Sequence, residues 1–534
     1  MRPRQSRCVP DDGAHPASFT GGGPARSATT VTRTKRSAWT LAAGATFSVA
    51  SALTAVIASP YLLRWLGADQ FGAYRTLIDW FAVIAFLDFG VGGALMAALA
   101  QRIGRGDGQA TSRVLAAGVR AYVRVAAIQV AAGLALVLAM PQVLPVPTLS
   151  AGTLRLAVAI GLLPLLLTPL LAFRALAEAR QRGYLTWMLL TAQLLFTTAL
   201  ALTFARAGWG LIGLCAALAV AQVPTLLVLA WDGRRAYPPT HAAQPTAEDR
   251  QSLRTLSGPT FLHSLTDRLG LASDNMIVAW MLGPAAVAPF FLTQQLAMLA
   301  QAQLRGLSGA TWAGLADLAA RGHTPVLEKR LCELTGLVSS LGVAVLVPIA
   351  VYNRPFVTLW VGTDSYAGSL VTMLSCLNAW LLPLFALWGW VLLGTGHIRR
   401  WVPFAIAATT LNVVVSVAGT ARLGVAGPLL GTAVANVAVS SWALPQVLER
   451  TFGTPARRLW HRALTPCRWG LPGALVTWAA ATWAPPRTWA SLVVMCGTSV
   501  AVLLLCWWRI ELGVESRREW QQRLRATLPA WAHR

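Results

Sequence analysis

From residue 38 to residue 508 the sequence is a succession of apolar runs, each near the roughly 20 residues that cross a bilayer as a helix. These runs are apolar around their whole circumference. A large soluble helical core would instead need polar faces alternating with the apolar stripes. Only 12% of the residues are charged, against about 25% in an ordinary soluble domain. The chain is therefore read as an all-α integral membrane protein.

Runs near 38–63, 76–100, 122–140, 153–173, 185–205, 208–231, 257–282, 285–304, 334–352, 367–393, 401–421, 424–447, 470–486 and 488–508 predict about fourteen transmembrane helices. They group as two six-helix bundles and a C-terminal pair. A basic tail (1–36), rich in Gly, Pro, Ser and Thr, has the composition of disorder, and its length leaves a later start codon open. Helices 1–6 fill an N-lobe (37–231) and a linker (232–255) leads to helices 7–12 in a C-lobe (256–447). A basic loop (448–469), helices 13 and 14 (470–508) and a basic tail (509–534) complete the chain.

The two bundles read as one duplicated unit. Leu66-Gly67 and Leu282-Gly283 each open an apolar run, and the offset of 216 lays Phe71-Gly72 on Val287-Ala288 and Tyr74 on Phe290. Further on, AGWGLIGLCAALAVAQV from Ala207 matches ARLGVAGPLLGTAVANV from Ala421 at an offset of 214. That match lays Gly210 on Gly424, Gly213 on Gly427 and Gln222 on Asn436. Two separate matches at nearly one offset indicate an internal repeat, a common plan of transporter folds.

The net charge of +24 raises a nucleic-acid reading, but the basic residues lie between apolar runs and not on a folded basic domain. With both termini in the cytoplasm, 36 of the 44 Lys and Arg fall on cytoplasmic segments and seven, Arg75 among them, on the external side. That asymmetry follows the positive-inside rule and sets the orientation. Tryptophans at run ends, such as Trp65, Trp209, Trp231 and Trp280, read as interface anchors. The longer cytoplasmic segments, 101–121 and 305–333, are amphipathic and are expected to lie along the interface.

The seven cysteines form no C-x-x-C pair and cluster with no histidine, so no metal site and no cofactor is expected. There is no phosphate-binding loop, no Ser-His-Asp arrangement and no external segment large enough for a catalytic domain. No catalytic residue is assigned.

Charges within the spans are costly, about 2.5–3.5 kcal/mol each at the centre, and so are read for function. Asp88 lies at mid-depth of the second run, with Asp79 nearer its outer end, where solvation alone would account for it. Asp267, Arg268 and Asp274 lie in the seventh run, with Asn275 beside the last. These groups would line a cavity between the lobes, hold an anionic headgroup or bind a coupling cation; Asp274 and Asp88 are the candidates for the cation. The structural alternative is that they satisfy backbone groups or, for Asp267 and Arg268, pair with each other.

The first helix pair, R-W-L-G-x-x-x-F-G-x-Y followed by L-D-F-G, resembles the polysaccharide (O-antigen type) flippase family of the multidrug/oligosaccharidyl-lipid/polysaccharide exporter superfamily. SDNMIVAWMLGPAAVAPFF in Ser273–Phe291, RPFVTLWVG in Arg354–Gly362, and GVAGPLLGT in Gly424–Thr432 continue the likeness. The resemblance implies two six-helix lobes facing each other in a V that opens alternately to either side. It implies a cargo of undecaprenyl-pyrophosphate-linked oligosaccharide moved across the cytoplasmic membrane, and membrane lipid as surroundings. A polysaccharide polymerase or export machinery is the protein partner expected, and coupling to H+ or Na+ is expected from Asp88 and Asp274 inside the spans. A cation-coupled multidrug antiporter of the same superfamily is the rival reading, and a membrane glycosyltransferase or glycan polymerase the third.

Overall fold

The computed structural model describes residues 25–238, 273–322, 324–511 and 517. Helix is the only regular structure among them. In the first half of the chain α1 spans Ala25–Ala85, α2 Val91–Gly104, α3 Gly108–Val143 and α4 Ala151–Leu162. A 3-10 stretch joins α4 to α5 (Leu171–Ala179), and α6 (Gly183–Arg206) and α7 (Gly210–Ala236) follow. In the second half α8 covers 273–282. Then come α9 (Pro284–Ala320), α10 (Thr324–Val361), α11 (Ser369–Gly394), α12 (Val402–Leu423), α13 (Gly427–Ala435) and α14 (Ser441–Phe452). A short α15 (Ala456–Leu464) leads to the terminal pair, α16 (Cys467–Trp483) and α17 (Trp489–Cys506).

Among the described residues nine helices are long and apolar enough to cross a membrane, against the fourteen runs expected. The two numbers differ for physical reasons. Ala38–Ala85 and Val402–Phe452 each join two runs through a bend. Most of the seventh run, 257–272, lies outside the described residues. The 17-residue α16 is shorter than a full span, and α9, which holds the eighth run, is interrupted by Gln294, Gln295, Gln301 and Gln303 and is not among the nine.

The repeat is visible in the backbone. Gly67 interrupts α1 at φ 75°, ψ 172°, and Gly283 separates α8 from α9 at φ 89°, ψ 161°. Both are conformations that a side chain would strain, which is why glycine stands at each copy of the Leu-Gly turn. Gly210 and Gly424, equated by the second match, also share a positive φ.

Two expectations are corrected. The second run is not one helix over 76–100: it stops at Ala85, turns through 86–90 with Phe89 and Gly90 both at positive φ, and restarts as α2. The amphipathic segments at 101–121 and 305–333 do not form separate surface helices. They continue the spanning helices past their apolar part and turn sharply, at 105–107 and 321–322. Asp107 caps α3 by accepting the Ala110 N–H at 2.8 Å, and Leu315, Leu327 and Leu331 are buried in the helical core.

The apolar cores divide by height. At the end carrying Gly67, Gly283 and Gly362, one cluster draws on both halves: Phe71, Leu77, Leu154 and Leu214 pack with Val278, Val287, Phe290 and Leu429. At the opposite end, which carries the arginine-rich turns, there are two clusters. One contains only first-half residues such as Leu95, Val114 and Leu176; the other contains only second-half residues such as Leu331, Trp388 and Leu448. Among the described residues the halves are thus fastened together at one end only. Large apolar side chains around the outside, among them Leu53, Leu138, Leu227 and Val494, remain exposed, as lipid-facing positions do.

Candidate site at the crossing of the two halves

The fastening is made where 68–85 of α1 crosses α9. Gly72 lies so close to α9 that a Cβ there would stand 1.8 Å from the Pro284 carbonyl oxygen. No side chain fits that gap, so this glycine is set by helix approach, as small residues are at membrane helix crossings. One turn on, the Arg75 guanidinium lies 3.5 Å above the centre of the Phe291 ring. Phe71 meets the same ring edge-on at 6.3 Å. By the offset of 216, Arg75 and Phe291 are equivalent positions of the repeat. Equivalent residues touch only at the axis relating two copies, so the crossing marks the pseudo-two-fold axis.

Polar groups gather at that axis. Asn275 Nδ2 donates to Asp79 Oδ2 across the halves at 2.7 Å. Asp79 interacts electrostatically with Arg75 on its own helix and with Asp274 on α8. Oδ1 of Asp274 and Oγ of Ser273 are buried with no hydrogen-bond partner among the described residues. A cavity opens from this point into the second half, lined by Asp274, Asn275, Phe291, Gln294, Gln301 and Asn378.

Depth follows from helix rise. Asp79 lies 12 residues beyond Gly67 and Asp274 lies 9 before Gly283. At 1.5 Å per residue these are about 18 and 13 Å from the fastened end, near the middle of a hydrocarbon core about 30 Å thick. Asp79 is thus neither near the outer end of its helix nor simply solvated. Arg75, counted by its sequence position among the external charges, lies inside against an aromatic ring. Its equivalence to Phe291 was the signal that would have placed it on the axis.

The remaining candidates lie apart. Asp88 stands in the break between α1 and α2, where Oδ1 accepts the Gly90 N–H at 2.9 Å and Oδ2 faces Gly92, next to the Tyr122 hydroxyl. The other side of the break is closed by Gln129, which donates to the Ala85 carbonyl at 2.9 Å and accepts from Thr168 at 2.9 Å. Asp267 and Arg268 lie outside the described residues. Among the described residues no group of three or more His, Cys, Asp or Glu could hold a metal ion.

The sequence matches the family model described as "Polysaccharide biosynthesis protein" over residues 41–312, just over half of the chain. No curated protein sequence matches the chain. Among solved structures, the fold is similar to the lipid II flippase MurJ in an inward closed conformation. The TM-score is 0.67 at 11% identity, over 87% of this chain and 98% of that one. It is similar too to a multidrug resistance MATE family transporter of the MOP superfamily, facing inward, with TM-score 0.61 and 18% identity over 75% of this chain and 94% of that one. An outward-facing MATE structure gives TM-score 0.57 at 14% identity, over 78% and 96%.

Proposed function

The chain belongs to the polysaccharide biosynthesis protein family, and from that premise we propose that it moves a lipid-linked oligosaccharide, of the undecaprenyl-pyrophosphate type, across the cytoplasmic membrane by alternating access. The reading involves no covalent chemistry. The observation that carries it is the one-ended fastening of two repeated halves, with a shared core at the Gly67 and Gly283 end and separate cores at the other. Two rigid halves joined at one end and apart at the other form a cleft, and moving the join to the opposite end would expose that cleft to the opposite side.

The arginine-rich turns supply the orientation. By the positive-inside rule they face the cytoplasm, so the cleft opens toward the side where lipid-linked sugars are assembled, and both termini lie there too. The cargo then moves outward. The terminal pair α16–α17 packs on α10 and leaves Leu475, Val476 and Val493 exposed, a surface suited to a polyprenyl tail.

The acidic pair at the crossing supports coupling to a proton or sodium ion. Asp79 and Asp274 approach each other across the halves, and two like charges in a low-dielectric site favour taking up a cation when the halves close. The same pair is what favours the second reading, a cation-coupled exporter of amphipathic drugs. Cells lacking the gene should accumulate lipid-linked glycan on the cytoplasmic leaflet. Normal surface glycan in such cells, with altered resistance to cationic drugs, would overturn the first reading in favour of the second.

A further inference from the structure

Trp360 of the second half gives its indole N–H to the backbone of the first. It stands on α10, two residues before Gly362, and packs against the shared core at the fastened end. Its Nε1 donates to the Val56 carbonyl of α1 at 2.8 Å. The indole N–H groups of Trp380, Trp388, Trp442, Trp460 and Trp469 go instead to acceptors within the second half or the terminal pair. Of these six, Trp360 alone reaches across.

Val56 has an acceptor to offer because of Pro60. A carbonyl in an α-helix accepts from the N–H four residues on, and four residues on from Val56 is a proline, which has none. α1 nevertheless keeps helical backbone angles at Pro60 and departs from them at Gly67. The Ser59 hydroxyl, on the same turn, goes to the Ala55 carbonyl at 2.7 Å. Inside a membrane such a proline is tolerated where a neighbouring helix satisfies the carbonyl that it strands. Here the neighbour belongs to the other half of the molecule.

The indole is held by rings along one face of α10. Phe356, four residues earlier, lies 5.2 Å from the Trp360 ring, and Trp489 of α17 meets Phe356 edge-on at 5.9 Å. Residues four apart share a helix face, so Trp489, Phe356 and Trp360 form one line of contact from the terminal pair to α1. The offset of 216 lays Pro60 on Met276 and Trp360 on Leu144, so neither member recurs in the other copy. The contact is an addition to the duplicated plan.

While the fastened end is closed, both groups are paired. Parting the halves there leaves the Val56 carbonyl with no helical N–H to fall back on, and the indole N–H without its acceptor. We propose that Trp360 is a gating residue of the transport cycle. Its bond to the carbonyl that Pro60 strands is a latch holding the external end closed, and the line of rings from Trp489 positions it. The latch rests on the alternating-access reading and adds to it the bond that must break for the closed end to open.

The test follows distances between paired spin labels in the purified full chain, freed of its native cysteines and reconstituted in nanodiscs. One pair sits at Ala68 and Asp364, exposed positions of the two halves beside Gly67 and Gly362. A second pair, at the exposed Gln109 and Arg321, spans the arginine-rich end. Trp360→Phe keeps a ring against Phe356 and removes the N–H. It should raise the population with the external ends apart about three- to tenfold, the worth of one hydrogen bond. Pro60→Ala supplies Val56 with an N–H from its own helix, so opening no longer strands the carbonyl, and should shift the populations the same way. In the Pro60→Ala background, Trp360→Phe should then add less than it does in the wild type. No shift with Trp360→Phe, or a shift that simply multiplies with that of Pro60→Ala, would overturn the latch; two populations at the second pair would leave alternating access standing. One fixed distance for both pairs in the wild type and every variant would overturn alternating access, and the latch with it.

Discussion

The two halves of this chain descend from one pattern but treat their buried polar groups in opposite ways. In the first half most polar side chains of the interior are consumed by the fold, with Arg113 Nε and Thr186 Oγ1 the exceptions among the described residues. Asp88 caps the restart of α2, Gln129 bridges the Ala85 carbonyl and Thr168, and Gln70 accepts the Leu211 N–H at the head of α7. In the second half they are left over. Asp274, Ser273, Gln295, Asn378 and Asn436 each keep a buried polar atom without a partner among the described residues. An unpaired buried polar atom costs about 1–3 kcal/mol, so a cluster of them persists where something other than folding keeps them. The difference supports reading the first half as a frame and the second as the side that would recognise the proposed cargo, with the crossing at Gly72 as the place where they engage.

The largest effect should come from breaking that engagement. Gly72→Val puts a branched side chain into the Pro284 carbonyl, a backbone atom that cannot move aside. Each half keeps its own core, so the protein should still fold. The fastened end should stand open, transport should be abolished, and a cysteine placed at Phe71 should become reactive to a polar thiol reagent from that end. A Gly72→Val protein with normal transport would remove the crossing from the mechanism.

A smaller and more diagnostic effect separates frame from surface. Gln129→Leu leaves the Ala85 carbonyl and the Thr168 hydroxyl unpaired, and should lower unfolding stability by about 1–3 kcal/mol while sparing the cation dependence of transport. Asp274→Asn removes one of two facing carboxylates, and should leave thermal stability unchanged or raise it by on the order of 1 kcal/mol while blunting the dependence on an ion gradient. If both substitutions moved stability alike and neither touched coupling, the contrast between the halves would fail.

The smallest effect belongs to one bond across the axis. Asp79→Ala and Asn275→Ala, made singly and together, should show a coupling of about 1–2 kcal/mol in unfolding experiments, as a hydrogen bond to a charged group does. Strict additivity would mean that the 2.7 Å contact contributes nothing to closure.

Much of this architecture could be read from the residues. The Leu-Gly turns at Gly67 and Gly283 and the paired glycines at 210 and 424 announced the repeat, because only glycine takes a positive φ there without strain. The break at 86–90 was hidden, since Ala85 to Val91 is as apolar as any helix and Asp88 reads as a mid-span charge until its capping role is seen. A π turn at 436–440 was hidden for the same reason: Val437, Ala438 and Val439 carry no mark of irregular backbone. Arg75 was misplaced because counting charge by position along the chain takes no account of which helix covers a residue. Asp79 was undervalued by placing its helix start near residue 76 instead of just past Gly67, which moved it outward by about two turns.

The central claim is that the halves must part at the Phe71–Phe291 contact for cargo to cross, and a cross-link there tests it most directly. In a chain freed of its native cysteines, Phe71→Cys with Phe291→Cys places thiols where the two rings now meet at 6.3 Å. Reconstituted into liposomes, the reduced protein should flip a fluorescent lipid-linked glycan. Oxidation or a short bifunctional reagent should stop flipping in proportion to the fraction cross-linked, and reduction should restore it. Flipping at an undiminished rate by fully cross-linked protein would contradict the account.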